Sequence, residues 1–275
     1  PGIGFNTVAQ VLDSLPAMHD ELQTWRVEPA NLGISIADGA GQFRAVGKMI
    51  SLAYLTIIRK RIQTAIDRVN NAHALSELGD LYSTVTGNSP GPNSDTVFVI
   101  VSSLAGGTGA GLLFPVSDLV RAMEPVAGGA SYGLLYTPEV FTSLGAAMVA
   151  GTQPNSLAAM SELLNGYWLG ASDTTGNSSL IPPKKPASLQ MAGAPTAISS
   201  SGPRFPFLIG RTGSGGVAFD TPADLYQMVG RALVSWVVDP AMSEEMVAYV
   251  KTSWELSSMT HFQADVLVGG TTGFD

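Results

Sequence analysis

The run Thr96-Val97-Phe98-Val99-Ile100-Val101 passes through Ser102-Ser103-Leu104 into Ala105-Gly106-Gly107-Thr108-Gly109-Ala110-Gly111. This junction constrains the fold more than any other part of the chain. A short, nearly continuous apolar run is the pattern of a strand covered on both faces, as in parallel sheets. Four glycines, two alanines and one threonine follow it, and Leu112–Met123 then reads as a helix. A strand-to-helix loop with so few side chains lets its backbone N–H groups converge on an anion, and the positive end of the helix adds to the field. The glycines permit close approach and positive φ. A tight turn that holds no ligand is the competing reading.

Around this junction the chain alternates helix and strand patterns. Residues 6–26 have helical spacing (Val8, Val11, Leu12, Leu15, Met18, Leu22, Trp25), with Asn6-Thr7 as cap and Pro16 as a kink. Residues 27–43 read as a loop, 45–70 as a long helix and 87–94 as a turn cluster. Strands are expected at 131–136 and 205–209, and helices at 156–164, 222–238 and 241–256. The order argues for an α/β domain with a mostly parallel sheet flanked by helices, whose ligands bind at the carboxyl ends of strands. Residues 1–240 are assigned to that domain, and 241–275 to a helical segment leading toward a second one. The stretch 170–204, with Pro182-Pro183-Lys184-Lys185-Pro186, has little to bury and reads as a flexible insertion. The opening Pro1-Gly2-Ile3-Gly4-Phe5 reads as the interior of a longer protein.

Composition excludes several classes. Fourteen Lys and Arg against 22 Asp and Glu give a net charge of −8, which argues against broad nucleic-acid binding. There is no Cys, hence no disulfide framework, thiolate metal site or Cys nucleophile, and a cytoplasmic setting fits. His19, His73 and His261 lack metal-ligand spacing, and no apolar run reaches membrane-spanning length.

The glycine loop fails two common phosphate signatures. Gly107-Thr108-Gly109-Ala110-Gly111-Leu112 lacks the third glycine of the dinucleotide fingerprint, and no Lys completes a Walker loop. Small-Gly-Gly-Thr-Gly-Ser/Ala-Gly, which Ala105–Gly111 matches throughout, is instead the signature of the tubulin and FtsZ superfamily, and Ser102-Ser103-Leu104 and Leu112-Leu113 agree with it on either side. Further segments resemble that family in the same order. Gly39-Ala40-Gly41-Gln42 is similar to the loop that senses the γ-phosphate, and Gly39–Ala45 is reminiscent of the divergent bacterial tubulin-like proteins. Thr137-Pro138-Glu139-Val140 resembles the strand end after the phosphate helix. Thr152, Gln153 and Asn155 fall where the ribose is met. Thr221-Pro222-Ala223-Asp224-Leu225-Tyr226 resembles the start of the long central helix, and Gly210, Arg211 and Tyr226 fall near the base. Tyr226 stands either as a stacking platform or as a core residue, and Arg211 either neutralises phosphate or pairs locally.

The resemblance implies a nucleotide-binding domain for GTP or GDP with Mg²⁺, its phosphates on Ala105, Gly106, Gly107, Thr108, Gly109 and Ala110. It also implies a γ-phosphate loop at Ala40, Gly41 and Gln42, and head-to-tail self-assembly into cytoplasmic filaments, with the water-positioning acid supplied by the next copy. Three departures stand beside it. Nothing before residue 30 matches the strand and glycine loop that open tubulins. The guanine-reading amides are not kept. No Asn-x-Asp follows the central helix, so Asp239, Glu244, Glu245 and Asp265 are the acids available there, each also readable as a solvated charge. The alternatives are a non-hydrolysing scaffold of the same fold, and an unrelated α/β enzyme that binds another phosphorylated ligand.

Overall fold

The computed structural model describes residues 6–14, 33, 35, 37, 39–89, 96–127, 129–175, 193, 198, 201–213 and 216–250. Helix α1 (Val8–Ser14) opens on a reciprocal cap. Gln10 N–H donates to the Thr7 hydroxyl at 3.4 Å, while the Gln10 side-chain oxygen accepts from the N–H groups of Asn6 and Thr7. The rest of the helix expected over 6–26 lies outside the described residues. Helix α2 (Arg44–Val69) follows the expected boundaries within a residue. Helix α3 (Ala72–Thr86) has no counterpart in the sequence reading. Its signals are nonetheless present: Asn71 accepts from the His73 and Ala74 N–H groups, and Gly87 closes the helix at φ 71°. None of its residues is buried.

Strands β1 (Val97–Ser103), β2 (Ala130–Tyr136) and β3 (Phe205–Ile209) form a parallel sheet in that order. Val97 pairs with Ala130 and Ser103 with Tyr136, while Tyr132 pairs with Phe205 and Tyr136 with Ile209. Helix α4 (Gly107–Ala127) joins β1 to β2, and α5 (Thr152–Thr175) and α6 (Pro222–Val238) flank the sheet. Tyr132 and Leu134 on one face of β2 pack with Phe207, Leu225, Val229 and Trp236, and Leu135 on the other packs with Leu113, Phe114, Ala159 and Leu163. Helices therefore cover both faces of β2, the arrangement of a Rossmann-type domain. Helix α7 (Pro240–Tyr249) returns to the same core through Met246 and Tyr249, followed by buried Val250.

One expectation is corrected here. Strand β1 is not covered on both faces: Val97, Val99 and Val101 are 50%, 40% and 53% exposed, while Phe98 and Ile100 face the core. It is the edge strand of the described sheet, so its apolar run overstates its burial. Of the stretch 170–204, expected as a flexible insertion, chiefly the two ends are described. Helix α5 enters it as far as Thr175, and Ser201–Arg204 rejoins the core, where Asp118 accepts from the Ser201 hydroxyl and the Gly202 N–H. Residues 176–192 lie outside the described residues.

Candidate functional site

The glycine segment folds differently from the expected seven-residue loop. Only Leu104–Gly106 is a turn, and Gly107, Gly109 and Gly111 already belong to the first turns of α4. None of the four glycines has positive φ; Gly39 and Gly41, at 82° and 51°, do. Backbone crowding explains the glycines. A Cβ on Gly107 would lie 2.8 Å or less from Ala40 O, Gly41 O and Phe43 N. One on Gly109 would lie 2.6 Å from Ser103 O, and one on Gly111 2.6 Å from Arg44 O and 2.7 Å from Lys48 N. The 39–43 loop and the start of α2 thus lie backbone to backbone against the start of α4, a close approach between protein segments.

This packing engages some amides and leaves others. Gly107 N–H donates to Gly41 O at 2.8 Å, and Ala110 N–H to Gly106 O at 3.1 Å. Leu104 N–H donates to Tyr136 O, and Ala105 N–H to the Ser103 hydroxyl. Among the described residues, the N–H groups of Gly106, Thr108 and Gly109 have no partner. Thr108 is exposed, and its hydroxyl accepts from Ala40 N–H at 3.3 Å. These orphan donors at a helix start suit an anion.

A third segment closes on the same turn. The Asn155 amide nitrogen donates to Gln42 O at 2.8 Å and to Ala105 O at 2.9 Å, and Gly151 N–H donates to Gln42 Oε1 at 2.8 Å. Three segments chosen from the sequence therefore meet: 40–42, 105–108 and 151–155. Of the expected ribose residues, Gln153 is exposed, buried Thr152 donates its hydroxyl to Val149 O, and Asn155 points its amide at the two loops.

The expected base residues lie just after β3, at Gly210 and Arg211, and in the first turns of α6, at Tyr226. Tyr226, 44% exposed, stands edge-on to Tyr136 with ring centres 5.2 Å apart. Glu139, named in the sequence only as part of a motif, accepts from Arg211 N–H at 2.7 Å and lies against Gly210. The Arg211 guanidinium donates to Phe219 O, Asp220 O and the Thr142 hydroxyl, so it braces its own loop.

Behind the turn lies a partly buried charge network that sequence reasoning missed, because nothing in linear spacing joins its members. Arg44 donates to Glu162 at 3.0 Å and to Ala110 O. Burial raises the Glu162 carboxyl and the Arg44 charge opposes that shift. Burial also pushes Asp118 up to about 6, against its bonds from Gly202 and Ser201 and the charges of Lys48 and Arg121. Of the acids after the central helix, Asp239 caps α7 by accepting from Ala241 N–H at 3.0 Å, Glu244 and Glu245 are exposed, and Asp265 lies outside the described residues. Among the described residues, no three His, Asp or Glu side chains gather as a metal would require, and no helix is long and apolar enough to cross a membrane.

Fold and site define a parallel α/β protein of Rossmann type, with unpaired amides where β1 turns into α4. Residues 5–267 match the family model described as tubulin like, and the chain belongs to this tubulin-like family. No curated protein and no solved structure matches it.

Proposed function

We propose that this chain binds GTP, with the phosphates on the N–H groups of Gly106, Thr108 and Gly109 and on the Thr108 hydroxyl. The observation that carries the reading is that set of orphan donors at the carboxyl end of β1, beside a loop tied to them through Gly41 and Ala40. Gln153 is the proposed ribose contact, and Tyr226 the platform for the base. Mg²⁺ supplies charge neutralisation on the phosphates. The donor set suits anionic oxygens, so the ion would be held chiefly by phosphate and water.

Hydrolysis and head-to-tail assembly complete the proposal, with Glu244 and Glu245 as exposed acids offered to a neighbouring copy. The second reading, a non-hydrolysing scaffold, is favoured by Asp239, whose carboxylate is engaged as a helix cap. Light scattering and phosphate release with GTP separate the two. Scattering that rises with GTP and falls as phosphate is released supports the GTPase, and assembly without release supports the scaffold.

Thr108→Ala tests the phosphate contact. The variant removes a hydroxyl that donates to an anion, a bond worth about 1.5–3 kcal/mol. Calorimetric titration should show GTP affinity reduced roughly ten- to a hundredfold. An unchanged dissociation constant would remove Thr108, and with it the phosphate reading of this turn.

A further inference from the structure

The geometry points to Asn155 as a positioning residue that aims the Gly106 N–H at the phosphate site by holding the peptide bond between Ala105 and Gly106. The inference rests on the phosphate reading above but assigns Asn155 a role other than contact with ribose. The Ala105 carbonyl and the Gly106 N–H belong to one planar trans unit and point in opposite directions. The Asn155 amide holds that carbonyl at 2.9 Å, which fixes the N–H on the side away from Asn155. Among the described residues, no other hydrogen bond holds the Ala105 carbonyl or the Gly106 N–H. A Cβ on Gly106 would meet no atom within 4 Å, and glycine allows the unit to turn over at little cost. A turned-over peptide would present a carbonyl oxygen, the wrong sign for an anion, in place of the N–H.

The same amide group donates to Gln42 O at 2.8 Å. Two carbonyl dipoles, of Gln42 and Ala105, are thereby drawn to one donor. Gln42 returns the tie through its side chain, which accepts from Gly151 N–H at the base of the segment that carries Asn155. The two residues close the glycine turn, the 39–43 loop and the start of α5 into one clasp.

The test uses the full chain and two probes, GTP and inorganic tripolyphosphate, which has no ribose. In Asn155→Ala both affinities should fall by the same factor, roughly tenfold, the cost of one misdirected charge-assisted bond. Asn155→Leu, close in size, uncharged and without the donor, should do the same and guards against loss through a cavity. In ¹⁵N spectra the Gly106 amide should shift with tripolyphosphate in the wild type and cease to do so in either variant. A fall for GTP alone would make Asn155 a ribose contact and overturn the proposal, as would unchanged affinity for both probes. A wild type that binds neither probe refutes the phosphate reading itself. The clasp is then read without ligand: the Gly106 amide signal moves on Asn155→Leu if the side chain holds that peptide, and its staying put would overturn the clasp.

Discussion

Gly111→Ala is expected to destabilise the protein by about 2 kcal/mol or more, whereas Gly230→Ala is expected to stabilise it by about 0.5–1 kcal/mol. Both glycines are inside helices, so each substitution gains the same intrinsic preference for alanine. What differs is the neighbourhood. A methyl on Gly111 would stand 2.6 Å from Arg44 O, 2.7 Å from Lys48 N and 2.8 Å from Gly47 C. All three are backbone atoms, so no side chain can swing aside and α2 must lift from α4. A methyl on Gly230 meets nothing within 4 Å. Urea unfolding of the two variants against the wild type measures the contrast. A stabilised Gly111→Ala would mean that the two helices do not cross as closely as described.

The second large effect concerns pH. The Asp118 carboxyl is 5% exposed and titrates near 6 in the folded chain, against 3.8 for an ordinary aspartate. Burial is the main cause, opposed by the Gly202 N–H, the Ser201 hydroxyl, Lys48 and Arg121. Between those two values the folded chain holds a proton that the unfolded chain has released. Raising the pH through that window therefore lowers stability, by roughly 3 kcal/mol for a shift of this size. Asp118→Asn removes the titration yet keeps an oxygen to accept from Gly202 and Ser201. Unfolding free energies from pH 4 to 7 should show the wild type losing ground to the variant, most steeply between pH 4 and 6. A difference that does not change with pH would mean that the carboxylate is as well solvated folded as unfolded.

Local features made much of this molecule readable in advance. The parallel α/β class followed from strand and helix patterns in alternation, and β3 and α6 lie at the expected residues. Thr221 and Pro222 explain the latter, as a cap that accepts from Asp224 N–H and a first-turn proline. The meeting of 40–42, 105–108 and 151–155 was legible only through the family resemblance, since no spacing rule joins residues so far apart. Two things were misjudged for a physical reason. Glycine density suggested a loop, but Gly107, Gly109 and Gly111 are helical, and their lack of side chains serves the crossing with a neighbouring backbone. The valines of β1 suggested full burial, but among the described residues one face of the strand lacks cover and its alternate side chains are exposed. The Asp118 and Arg44 contacts were invisible because each partner is supplied by a different element.

The tight crossing of α2 and α4 bears on how the signature itself should be understood. Gly47 is as constrained as Gly107 and Gly111, since its own methyl would collide with Gly107 O. A fold of this kind that bound nothing would need all three just as much, because the crossing of α2 and α4 alone requires them. These glycines record how two rods are stacked, and binding chemistry at the turn would rest on something separate, the direction of a few N–H bonds.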